Sequence, residues 1–85
     1  MLKEFFARPY VAAKVAEGRL PEYWKMAVGD AAARATTDIR FENHTLTVRI
    51  SSGVMRQELF YRRDAIAERI NQMAGIDIVK AIIVK

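Results

Sequence analysis

The chain has 85 residues, 52% of them hydrophobic and 28% charged, with fourteen Lys and Arg against ten Asp and Glu and a net charge of +4. That length supports one hydrophobic core and not two, so a single domain over residues 1–85 is expected. The absence of cysteine excludes disulfides, thiolate metal ligands and cysteine nucleophiles.

At the start of the chain Leu2, Phe5 and Phe6 form a short apolar face suited to a helix. Pro9 then removes a backbone donor and favours the first turn of a new helix, which runs to about Glu17 with Gly18 as its stop. Pro21 opens a further helix with Glu22 in its positive first turn. Trp24, Ala27, Val28, Ala31 and Ala35 recur along one side of it at three- and four-residue spacing. Gly29 falls inside this pattern at a cost of about 1 kcal/mol relative to alanine, which a close backbone approach by a neighbouring element would explain.

Between Thr36 and Ser51 the period changes to two. Ile39 and Phe41, then Leu46, Val48 and Ile50, alternate with polar residues and predict two strands. Asn43-His44 separates them, and both residue types tolerate positive φ, so a two-residue hairpin is expected. Its apolar face opposes one that carries Arg40, Glu42, Thr45, Thr47 and Arg49.

From Ser52 to about Ala74 the period returns to 3.6, and Met55, Leu59, Ile66, Ile70 and Met73 fall within one arc that should cover the sheet. Phe60, Ala67 and Ala74 lie on a neighbouring arc, where an N-terminal helix should pack with Phe60 as its anchor. Ser51 or Ser52 can cap the start of this helix, and Gly75 its end. Ile76 to Lys85, rich in β-branched residues, reads as a last strand. The fold class is therefore α+β: a small three-stranded sheet with helices packed on one side, in the order α-α-β-β-α-β. The apolar run Ala81-Ile82-Ile83-Val84 falls far short of the roughly 20 residues that span a bilayer. Met1-Leu2-Lys3-Glu4 has none of the character of a signal peptide. No membrane partner is expected, and the cytoplasm is the expected location.

Catalysis needs a base beside a nucleophile, two positioned carboxylates, or converging ligands. The single histidine, His44, sits in the turn, where its backbone conformation accounts for it. No glycine-rich phosphate loop is present, because Gly18, Gly29, Gly53 and Gly75 are at least eleven residues apart. No enzyme activity, cofactor, metal or small-molecule substrate is expected. Trp24, at helical spacing, reads as core rather than as a base-stacking platform. The arginines remain. Arg56 and Arg63 share one flank of the long helix and Arg62 and Arg69 the other, and Arg40 and Arg49 lie on the open sheet face; all six are candidate nucleic-acid contacts. At that spacing, flanking arginines equally suit an ordinary solvated helix. Glu58 stands four residues before Arg62, the spacing of an ordinary helix-surface ion pair.

Taken in order, Tyr23-Trp24, Val28-Gly29, Leu46-Thr47-Val48 running into Ser51-Ser52, Gln57-Glu58-Leu59, Ile70-Asn71 and Gly75 resemble the DciA family, over most of the chain. The resemblance implies a K-homology (KH)-like fold and a role in loading the replicative helicase on bacterial DNA, with that helicase and DNA, single strands included, as partners. It departs from nucleic-acid-binding KH domains in lacking a G-x-x-G loop, so any nucleic acid would have to be held by arginines and open surfaces. Within the motif Leu59 faces the core, whereas Gln57 on the outer face and Glu58 at its edge are the candidate partner contacts. An RNA-binding module and a pure protein-interaction domain are the alternative functions.

Overall fold

The computed structural model describes residues 9–85; the expected helical face of Leu2, Phe5 and Phe6 lies outside them. Helices α1 (Pro9–Gly18), α2 (Leu20–Val28) and α3 (Asp30–Ala35) precede strands β1 (Thr36–Glu42) and β2 (Thr45–Ile50), followed by α4 (Gly53–Tyr61), α5 (Arg63–Ala74) and β3 (Ala81–Val84). The sheet order is β1-β2-β3, with β1 antiparallel and β3 parallel to β2. The helices pack on one side of this sheet, as the α+β reading expects.

The hairpin follows its sequence closely. Asn43 and His44 have φ of 50° and 60°, the two left-handed residues that a type I′ turn demands. Phe41 then opposes Leu46 and Ile39 opposes Val48 on the inner face, while Arg40 opposes Thr47 and Glu42 opposes Thr45 outside. A bulge between Thr36 and Asp38 brings Thr36 opposite Ile50. The turn is also tied down from a distance. His44 Nδ1 lies 3.0 Å from the Ile78 carbonyl, an acceptor only, so Nδ1 carries the proton.

Both long helices of the sequence pattern are broken. The first divides at Gly29, whose φ of 91° and ψ of 169° lie in territory open essentially only to glycine. Nothing lies within 4 Å of where a Cβ would stand, so backbone conformation, not close approach, is what requires glycine there. The break also shifts the helical phase, so that Ala32 is buried and Ala31 is exposed. The second divides at Arg62, where φ of −101° and ψ of 6° leave the helical region. A straight helix over residues 53–74 would measure about 33 Å, against about 20 Å for a six-residue strand, and could not stay on so small a sheet. Instead α4 lies against β2 and β3, while α5 lies against α2 and β3.

The ends of these helices behave as their residues predict. Ser52 caps α4 by accepting from the Met55 N–H at 3.3 Å, and Gly75 closes α5 in the left-handed conformation. The last strand is shorter than its β-branched run. Ile78 and Val79 are buried without strand pairing, because Asn71 engages the Val79 backbone through both amide atoms, each at 2.8 Å. Around them Leu20, Trp24, Leu46, Val48, Ile50, Leu59, Ile66 and Ile70 form the core. Trp24 is 1% exposed, and its indole N–H donates to Thr36 Oγ1 at 2.9 Å, which joins the helical layer to the start of the hairpin. Phe60 does not anchor the helix–helix contact: it is 45% exposed, because the break at Arg62 leaves it at the corner, while Ala67 and Ala74 pack against the core.

Candidate nucleic-acid interface

The six candidate arginines fall in three settings. On the outer sheet face Arg40 Nε donates to Asp38 at 3.0 Å, two residues back on the same strand, and Asp38 is also the cross-strand neighbour of Arg49. Arg40 is thus neutralised in place and Glu42 adds a second carboxylate to that face. Asp38 as Arg40's partner escaped the sequence reading, although i, i+2 spacing in a strand places two side chains on one face.

Arg56 and Arg63 are engaged by backbone. The Arg56 guanidinium donates to the Ile50 carbonyl at 3.0 Å, at the end of β2. Arg63 donates to the Phe60 carbonyl at 2.8 Å, in the last turn of α4, and its guanidinium carbon stands 4.1 Å from the centre of the Phe60 ring. The first contact ties α4 to the end of β2, and the second holds the corner between α4 and α5.

Arg62 and Arg69 form the third setting. Arg62 N–H closes the last turn of α4 on the Leu59 and Phe60 carbonyls, so its side chain leaves the helical position that would set it over Glu58. Among the described residues the ion pairs are Arg19–Glu22, Lys25–Asp30 and Arg40–Asp38; the Glu58–Arg62 pair suggested by the spacing is not formed, because the helix ends between the two. Arg62 and Arg69 line one shallow hollow together with Ala27, Ala65, Ile66, Glu68 and Gln72. Both are exposed.

Gln57 and Glu58 are exposed on α4. The exposed face of that helix also carries Val54, 80% exposed, and Tyr61, 73% exposed. Asn71 is the functional-motif residue whose role is plainest, and it is structural: two hydrogen bonds that hold residues 76–80 against α5.

The family model described as "Dna[CI] antecedent, DciA" matches residues 1–84, nearly the whole chain. The chain belongs to the DciA family. That family is linked to helicase loading in DNA replication. No curated protein and no solved structure gives a significant match to the chain. For this DciA-family member the motif residues thus divide: Trp24, Gly29, Ser52, Leu59, Asn71 and Gly75 build the fold, whereas Gln57 and Glu58 face solvent. Among the described residues no helix is long and apolar enough to cross a membrane.

Proposed function

We propose that this chain is a non-catalytic, cytoplasmic accessory domain of helicase loading, a single KH-like unit over residues 1–85 that contacts DNA through arginine and the replicative helicase through α4. Family membership supports the helicase connection. The βααβ segment β2-α4-α5-β3, with its outer strands parallel, supports the KH-like reading. The observation that carries the DNA contact is the pair Arg62 and Arg69, two exposed guanidiniums lining one hollow with no carboxylate paired to either among the described residues. Guanidiniums free of internal partners keep their donors for phosphate oxygens, and such contacts position a nucleic acid without reading its sequence.

Binding should accordingly be weak, indifferent to sequence and steeply salt-dependent. Replacing Arg62 and Arg69 together by alanine lowers the slope of log affinity against log salt by about two if each neutralises one phosphate. Titrations of duplex and single-stranded oligonucleotides at several salt concentrations check this; an unchanged slope removes the pair from the interface. Arg56 and Arg63, already donating to carbonyls, should affect melting as well as affinity when replaced. For the protein partner, calorimetry against a bacterial replicative helicase should show binding by the chain. Gln57→Ala should weaken it while stability stays within about ±0.5 kcal/mol, the range of ordinary surface changes. Absence of binding by the unaltered chain would overturn the helicase contact, whereas normal binding by a stable Gln57→Ala protein would reject that site alone.

A further inference from the structure

At the corner between α4 and α5 an aromatic pair stands in the open beside cationic side chains. Tyr61 is 73% exposed, and its ring meets the Phe60 ring edge-on, with centroids 5.8 Å apart and planes at 69°. Phe60 is itself held, since the Arg63 guanidinium lies over its ring at 4.1 Å and is fixed there by its hydrogen bond to the Phe60 carbonyl. Tyr61 is therefore supported on one side by a fixed aromatic and open to solvent elsewhere. Arg62, unpaired with any carboxylate among the described residues, is its chain neighbour. A large aromatic ring left in water forgoes the burial that would stabilise it in the core, and none of its atoms hydrogen-bonds within the described structure.

An open aromatic flanked by arginine matches one kind of polymer well: a strand whose π faces are unpaired and whose phosphates recur beside them. Duplex DNA hides its base faces within the stack and would meet only the arginines. We propose that Tyr61 is a stacking platform for a base of single-stranded DNA, with Arg62 on the adjoining phosphate. This deepens the DNA-contact reading above and rests on it.

The test uses the full chain and fluorescence-anisotropy titrations with four probes: oligo-dT, the same length of abasic DNA, a duplex of that length, and oligo-U. Tyr61→Ala should weaken oligo-dT binding about 5- to 150-fold, the worth of one base–aromatic stack. Its salt slope should be unchanged, because no phosphate contact is lost. Binding of abasic DNA and duplex should be unaffected, Tyr61→Phe should bind oligo-dT normally, and melting of both variants should match the unaltered chain. Oligo-dT affinity unchanged by Tyr61→Ala, or an equal loss on abasic DNA, would overturn the stacking role while leaving the arginine contact standing. Tighter binding of oligo-U than oligo-dT would overturn the assignment to DNA. If the unaltered chain binds none of the four probes at low salt, the DNA reading and the stacking role fall together.

Discussion

The β1–β2 hairpin turns at Asn43 and His44, both with left-handed backbone, whereas the helical layer turns at Gly29 and Arg62, residues with no chemistry in common. In the hairpin, conformation and sequence agree residue by residue, since a two-residue turn and a period of two leave a single register that sets Ile39, Phe41, Leu46 and Val48 together against the core. In the helical layer the packing depends on contacts made across the chain: Trp24 bonded to Thr36, and Asn71 gripping Val79. A strand pair can store its geometry locally; a layer of short helices borrows it from the sheet.

Removing the largest of those borrowed contacts should be the most damaging change. Trp24→Ala takes away a fully buried indole and leaves the Thr36 hydroxyl oxygen without the N–H it accepts from; a loss of roughly 3–5 kcal/mol is expected, enough to threaten so small a domain. Denaturant or thermal melts measure it, and unchanged melting would show that the helical layer does not depend on this anchor. Next, Asn71→Ala leaves both the Val79 N–H and C=O without partners at a buried position, for which we expect a loss of about 2–4 kcal/mol. Hydrogen exchange should then show the Val79 amide losing protection well before those of β2, and equal protection at both sites would contradict the borrowed-contact picture.

The smallest effect is the local one. Gly29→Ala meets no steric obstacle, so its expected cost of about 1–3 kcal/mol comes from the backbone alone. Gly29→Asn should recover little of the loss, because asparagine is tolerated in the left-handed helical region and not at ψ of 169°. At Gly75, with φ of 77° and ψ of 7°, asparagine should serve better than alanine. Melts of the four variants separate the two kinds of glycine; a full rescue by Gly29→Asn would show that the α2–α3 corner had relaxed to another geometry.

The candidate site was legible in part. The arginines themselves, and the outward placement of Gln57 and Glu58, follow from helical and strand spacing. Which arginines keep a free guanidinium does not, because it depends on where α4 stops, and no proline or glycine marks Arg62 as the stopping point. The exposure of Tyr61 follows from spacing as well, since it falls about 200° around α4 from the buried Leu59.

By itself the sequence determined what short-range stereochemistry can carry: the Asn43-His44 turn, the inward residues of both strands, a serine cap at 51 or 52 and the Gly75 cap, and the order of elements around one apolar core. Sheet order, the corner at Arg62, the irregular course of residues 76–80 and the pairing state of each arginine were decided only by the tertiary structure. The physical reason is length: a periodic pattern states which side of a helix is apolar, but the reach of the surface beneath it decides how far that helix can run.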